Sequence, residues 1–192
     1  MQNLGEEITG EYLRNILGCE FIQYNLYTVE EQGEIDVIGL DVKNSKIYIC
    51  EVVTHLVTGL MYVDTVTKKS NNVKKLTDKF GRNMRYTTRY FPEHEKHFML
   101  WSPIVKSSKP TAKHDQMRDI RAICATIRDE FEHEIELIIN EEYKNRLGEL
   151  RDWAGRQTKE LKSPVLRLMQ IEAQLGKHIK KLQKSNPMYA QL

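Results

Sequence analysis

The order of strand-like and helix-like segments predicts an α/β fold: a mixed β-sheet flanked by helices, followed by a C-terminal helical extension. Three consecutive runs rich in β-branched and aromatic residues come first, separated by short turn-like segments. Further strands then alternate with amphipathic helices, an order that favours right-handed parallel crossovers. The predicted order is αβββαβαβ.

The first half of the chain carries one helix and three strands. Residues 3–17 place apolar side chains at helical spacing, and Gly18 follows as a typical helix stop. Strands are predicted at residues 21–27, 34–40 and 46–53, and the short polar segments between them are typical of turns. These three strands are expected to form a meander.

The second half alternates helices with strands. A helix is predicted over residues 66–86, where apolar residues recur every three or four positions. A buried strand at 97–105 contains Pro103, which should end its pairing. A helix at 117–131 and a last strand at 134–140 complete the predicted core.

The remaining residues predict a helical extension. The core is expected to span residues 1–140 and the extension 141–192, with Ser163 and Pro164 as the N-cap and first residue of its second helix. We expect this extension to pack on the core or to pair with a second copy of the chain as a homodimer.

Composition predicts a globular, cytoplasmic protein without membrane association. Of the 192 residues, 40% are hydrophobic and 29% charged, which is ordinary for a folded domain. No apolar run approaches the roughly 20 residues that cross a bilayer, and the N-terminal segment lacks a signal-peptide layout. The net charge of +2 is small, so the distribution of charge matters more than its total.

Two acidic residues lie inside apolar strand segments, Asp36 in the second strand and Glu51 in the third. A carboxylate in a buried strand is costly unless it is paired or binds a cation. Because side chains alternate along a strand, adjacent strands would direct both carboxylates to one place. Converging carboxylates with open positions suit Mg²⁺ or Mn²⁺ and a phosphate substrate. Hydrolysis of a phosphodiester fits such a site.

At these residues the chain resembles the PD-(D/E)xK nuclease superfamily, in particular Mrr-type endonucleases and Holliday-junction-resolvase-like proteins. The similar segments are 5–13 (GEEITGEYL), 33–36 (GEID) and 51–54 (EVVT). The resemblance implies a restriction-endonuclease-like fold, Asp36 and Glu51 as catalytic metal ligands, and a helix glutamate that assists. We expect that glutamate to be Glu6, which shares a helical face with Leu13. Glu7 and Glu11 in the same helix are the alternatives.

The chain departs from the family pattern at Val53, where the resemblance implies a lysine. Valine neither orients a water molecule nor stabilises charge on a phosphate. One hypothesis is that a cationic side chain arrives from elsewhere; the other is that catalysis is impaired and only binding of nucleic acid or a protein partner remains. The candidates for the replacement are Lys68, Lys69, Lys74, Lys75 and His55.

The helix after the third strand is strongly basic, with Asp78 as the only acid between residues 65 and 92. A charged helical face is usually only solvated, but this one would also follow a phosphate backbone. The sequence therefore predicts a metal-dependent nuclease acting on DNA, in a setting of restriction, defence or repair. The predicted backbone contacts are Lys68, Lys69, Lys74, Lys75, Lys79, Arg82 and Arg85, with Arg89 at the helix exit.

Overall fold

A computed structural model shows an α/β protein with a five-stranded mixed sheet, which confirms the predicted fold class. The order of the first eight elements is the predicted one. The structure describes residues 3–64, 66–67, 70–109, 111 and 114–185. The elements are α1 (Leu4–Asn15), β1 (Phe21–Thr28), β2 (Gly33–Asp41), β3 (Lys46–Val52), α2 (Asn72–Tyr90), β4 (Glu95–Ser102), α3 (Gln116–Phe131), β5 (Ile135–Ile139), α4 (Asn140–Arg156) and α5 (Pro164–Ser185).

The strands lie in the sheet in chain order, from β1 to β5. The pairs β1–β2 and β2–β3 are antiparallel, as expected for a meander joined by short turns. The pairs β3–β4 and β4–β5 are parallel, since α2 and α3 carry the chain back between them. The carboxyl ends of β3, β4 and β5 therefore share one edge of the sheet.

The two faces of the sheet hold different side chains. Ile38, Ile49 and Leu100 belong to one buried cluster with Leu76 and Phe80 of α2, and residues of α3 join it. Helix α1 packs on the opposite face, where the ring of Tyr12 contacts Trp101 with centroids 5.3 Å apart. The strand alternation that the sequence predicts thus separates two layers of helices.

Helix α2 begins later than predicted, at Asn72 instead of residue 66. The Asn72 side chain accepts from the backbone N–H of Tyr62 at 2.7 Å and donates to the carbonyl of Leu60 at 3.0 Å. These hydrogen bonds hold Leu60 and Tyr62 at the start of α2, and Val63 forms an isolated bridge with Ser70. Tertiary contacts therefore override the helical spacing of the segment before Asn72.

The chain divides into two compact units after Arg146, within α4. The predicted boundary at residue 140 coincides with the start of that helix. In the second unit, the carbonyl of Gly155 accepts from Gln174 at 3.0 Å and from Lys177 at 2.7 Å, so α5 lies against the end of α4 as a helical hairpin. The homodimer expected from this extension stays a prediction. Across the residues that the structure describes, no helix has the length and apolarity that crossing a membrane requires.

Candidate active site

Asp36 and Glu51 face each other across neighbouring antiparallel strands. Val37 pairs with Cys50 in the β2–β3 register, and one further step places Asp36 opposite Glu51. Residues directly opposite in antiparallel strands project from the same face of the sheet. The Asp36 carboxylate also accepts a hydrogen bond from the backbone N–H of Val52 at 2.8 Å, which holds it at the end of β3.

Glu51 is completely buried, with 0% of its surface exposed. Its Oε1 accepts a hydrogen bond from the Asn83 amide at 2.7 Å, and its Oε2 contacts the ammonium of Lys79. Burial first, and then the neighbouring charge of Asp36, raise the pKa of Glu51 from 4.5 to about 8 against the opposing effects of Lys79 and Asn83. At neutral pH this site therefore favours a proton or another positive charge.

Lys79 joins the two carboxylates. Its ammonium lies 3.2 Å from Oδ1 and 3.3 Å from Oδ2 of Asp36, in addition to its contact with Glu51. The two acids raise the pKa of Lys79 and keep it charged despite its burial. Lys79 and Asn83 are four residues apart in α2 and thus on one helical face, so a single helix presents both groups to the acids.

The cation at the acids comes from α2 and not from the position of Val53. Val53 follows the last residue of β3, donates its backbone N–H to the carbonyl of Trp101 at 2.8 Å, and packs in the hydrophobic core. Among the replacements weighed from sequence, Lys74, Lys75 and His55 are exposed, and Lys68 and Lys69 lie outside the described residues. Lys79, predicted to contact a nucleic-acid backbone, instead has its ammonium at the acids.

Glu6, the predicted helix acid, takes part in the capping of α1. Its carboxylate accepts from the backbone N–H of Asn3 at 3.0 Å and from the side-chain amide of Asn25 at 3.3 Å, and the Asn3 side chain contacts it as well. This capping box satisfies the first N–H groups of the helix. The structure gives Glu6 these structural partners and not Asp36 or Glu51. Its assisting role stays a prediction.

The basic side chains of α2 differ in their surroundings. Arg85 pairs with Glu31 at 2.8 Å and Arg89 with Glu30 at 3.0 Å, both in the β1–β2 turn, so these charges are already engaged. Arg82 lies against Gly33, where an added Cβ would be 2.6 Å from the Arg82 Nε. The glycine of the GEID segment thus leaves space for this arginine.

Two site residues were not found by sequence reasoning, Asn83 and Tyr62. Asn83 interrupts the buried face of α2 between Phe80 and Thr87. A polar residue on the core-facing side of an amphipathic helix is the sequence signal that could have identified it. Burial raises the pKa of Tyr62 to about 12, and the charges of Lys79, Glu51 and Asp36 also act on it. The Tyr62 hydroxyl is therefore a partly buried polar group in the electric field of the two acids and their lysine.

The donor set at this site fits a hard divalent cation. Within the described part of the chain, no group of three His, Cys, Asp or Glu residues could hold a metal ion. Asp36 and Glu51 would therefore be the two protein ligands. Mg²⁺ is commonly held by one or two carboxylates, with water and substrate phosphate completing its shell. Burial and then the charge of Asp36 raise the pKa of Glu51, and a bound cation would stabilise its ionised form.

Comparison with known proteins gives no relative: no family model, no curated protein and no solved structure matches this chain.

Proposed function

We propose that this protein is a metal-dependent nuclease that hydrolyses DNA phosphodiester bonds, built on a restriction-endonuclease-like core. One observation carries the proposal: the Lys79 ammonium lies at both carboxylates, Asp36 and Glu51. It supplies the cationic side chain that Val53 lacks. The lack of a lysine at position 53 is therefore no longer an argument for impaired catalysis.

The charges at the site support binding of Mg²⁺ or Mn²⁺ by Asp36 and Glu51. When Glu51 is ionised, which in the absence of a further cation requires a pH above its pKa of about 8, the two acids and the protonated Lys79 carry a net charge of −1 in a largely buried position. Such a charge is costly unless a further cation compensates it. When bound, a divalent cation polarises a phosphoryl oxygen and offsets the negative charge that develops during hydrolysis.

The chain's own residues would do the remaining work. Lys79 is placed to donate a hydrogen bond to a non-bridging oxygen of the scissile phosphate and to orient the attacking water. Asn83 holds Glu51 in one orientation through its 2.7 Å hydrogen bond. Lys74, Lys75 and Arg82, on the same helix as Lys79, would contact the flanking phosphates.

A second function is favoured by the same ion cluster. Lys79 pairs with both acids, and a buried cluster of this kind is also found with a purely structural role. The protein would then be a nuclease-fold module that binds nucleic acid or a protein partner without cutting.

Cleavage assays separate the two functions. Purified protein with Mg²⁺ or Mn²⁺ would be incubated with single-stranded, duplex and branched DNA. We expect cleavage of at least one substrate. The Asp36→Asn variant should cut that substrate at a rate reduced by about 100-fold or more. The matched control is Asp78→Asn, an exposed acid on α2, which should cut at the wild-type rate.

Circular dichroism would establish that each variant is folded. A folded wild-type protein that leaves all three substrates intact, or an Asp36→Asn variant that cuts as fast as the wild type, would overturn the nuclease proposal. Binding without cleavage would then favour the non-catalytic module.

A further inference from the structure

The ammonium of Lys79 occupies the position that a cation bound by both acids would need. It lies 3.2 Å and 3.3 Å from the two carboxylate oxygens of Asp36, and it contacts Oε2 of Glu51. The fourth oxygen, Oε1 of Glu51, accepts a hydrogen bond from the Asn83 amide at 2.7 Å. All four carboxylate oxygens of the pair therefore already have a partner inside the protein, and Lys79 is the partner of three of them.

A divalent cation and the Lys79 ammonium would compete for the same oxygens. Mg²⁺ binds carboxylate oxygens at roughly 2.0–2.1 Å, which is closer than the ammonium lies to either oxygen of Asp36. A unit charge and a double charge repel each other with twice the energy of two unit charges at the same separation. Binding of such an ion between Asp36 and Glu51 thus costs Lys79 its contacts with them.

Lys79 can leave the acids without a movement of α2. Its side chain is 14% exposed, and Lys75 and Asp78 beside it on the helix are exposed. The charge of a lysine sits on a flexible four-carbon stem, so rotation about side-chain bonds carries the ammonium towards solvent. Asn83, one helical turn further on, is buried and would keep Glu51 in place.

The charge of Lys79 determines which cations gain by replacing it. When both acids are ionised, a monovalent ion in place of the ammonium leaves the total charge at the site unchanged, and that ion must also lose its water. A divalent ion neutralises both carboxylates, which is the less costly state in a buried position. The lysine therefore favours divalent over monovalent cations at this site.

We propose that Lys79 is a specificity-determining residue for the cation: it holds the position between Asp36 and Glu51 until a divalent ion replaces it. The inference rests on the metal site of the proposed nuclease function. The released ammonium stays attached to α2 beside the acids, and its flexible stem lets it reach a phosphate oxygen of the substrate. Lys79 thus couples binding of the ion to the placement of a cation on the phosphate.

Pulsed acetylation measures whether Lys79 leaves the acids. The wild-type protein would be treated briefly with N-hydroxysuccinimidyl acetate over a titration of Mg²⁺, with each lysine followed by mass spectrometry. Calorimetry under the same conditions reports the binding of Mg²⁺. We expect the labelling rate of Lys79 to rise about tenfold or more at saturation, because its ammonium exchanges buried ionic contacts for water. Labelling of Lys75, which is exposed on the same helix, should stay constant.

A monovalent ion and two variants are the controls. K⁺ at the same ionic strength should change the labelling of Lys79 by less than about twofold, since it only screens exposed charges. In Asp36→Asn, which lacks one of the two acids, the labelling of Lys79 should not respond to Mg²⁺. In Asp78→Asn, an exposed acid on α2, the response should equal that of the wild type.

A crystal structure with Mn²⁺ measures the exchange directly. We expect an anomalous difference peak between Asp36 and Glu51, with the Lys79 ammonium beyond hydrogen-bonding distance of both carboxylates. Mn²⁺ between the acids with the ammonium still in contact with both would refute the exchange.

The solution experiments can also refute it. Binding of Mg²⁺ with constant labelling of Lys79 contradicts the proposal, and so does a folded wild-type protein that binds no Mg²⁺. Equal effects of K⁺ and Mg²⁺ on the labelling, or an Asp36→Asn variant that responds like the wild type, contradict it as well.

The two proposals fail separately in these assays. A protein in which Mg²⁺ releases Lys79 but which cuts no DNA would retain the exchange and refute the nuclease. A protein that cuts DNA while the labelling of Lys79 ignores Mg²⁺ would retain the nuclease and refute the exchange.

Discussion

Replacing Lys79 by methionine would leave two facing carboxylates without their shared cation. Methionine keeps a flexible apolar stem of similar length, so the main loss is the charge. At the 3.2 Å separation from Asp36, the attraction is roughly 5 kcal/mol with an effective dielectric constant of 20. The side chains of Lys79 and Asp36 are each 14% exposed, so solvent screens this attraction little.

We expect Lys79→Met to lower the free energy of unfolding by about 3–5 kcal/mol, the usual cost of removing one partner of a buried ion pair. The cost should be smaller at pH 7 than at pH 9, because Glu51, with a pKa of about 8 in the intact cluster, escapes by taking up a proton. A Lys79→Met/Glu51→Gln protein should recover part of the loss, since it no longer buries that carboxylate.

Urea denaturation followed by circular dichroism measures these differences. Lys74→Met is the control, because Lys74 is exposed on the same helix and its loss should change stability by less than about 0.5 kcal/mol. If Lys79→Met is within 1 kcal/mol of the wild type at pH 9, or if the double variant is no more stable than the single one, the reasoning about the buried cluster is refuted.

Two further predictions concern the same buried carboxylate and the packing of α1. The folded protein retains a proton on Glu51 up to a pKa of about 8, whereas the unfolded chain loses it near 4.5, so wild-type stability should fall relative to Glu51→Gln as pH rises between these values. Parallel urea titrations at several pH values check the sign, and a difference that is constant or rises with pH would contradict it. Gly10→Ala should destabilise the protein by about 1–3 kcal/mol despite the better helix propensity of alanine, because its Cβ would lie 2.6 Å from ring carbons of Tyr24. Gly148→Ala in α4, with nothing within 4 Å of its Cβ, should instead gain up to about 1 kcal/mol, and equal melting shifts in the two variants would count against this packing.

The local sequence pattern was sufficient to predict the elements in which apolar side chains alternate or recur regularly. The three strands of the meander lie within one or two residues of their predicted bounds, and Gly18 has the left-handed φ of +82° expected of a helix stop. Pro103 follows the last residue of β4, as its missing N–H requires. The predicted start of α2 at residue 66 was wrong, because the Asn72 side chain forms hydrogen bonds with Tyr62 and Leu60 before it.

That Asp36 and Glu51 point to one place is predictable from the sequence. Strand alternation is a property of the backbone, and it places both side chains on one face once the strands are neighbours. Which cation meets them depends on how the helices pack on the sheet. Whether a helix lysine reaches the sheet depends on where the helix packs and on its rotation about its own axis. Both depend on distant contacts, such as those of Leu76 and Phe80 in the core.

The same reason explains why Glu6 and Val53 have other partners than their spacing predicts. Both were placed by local spacing, Glu6 on a helical face and Val53 on a strand face. The structure uses Glu6 to cap α1 and Val53 to fill the core, while Lys79, from a helix twenty residues or more beyond the strand, takes the position at the acids. Spacing along the chain determines which side chains share a face, but only packing between elements determines what that face meets.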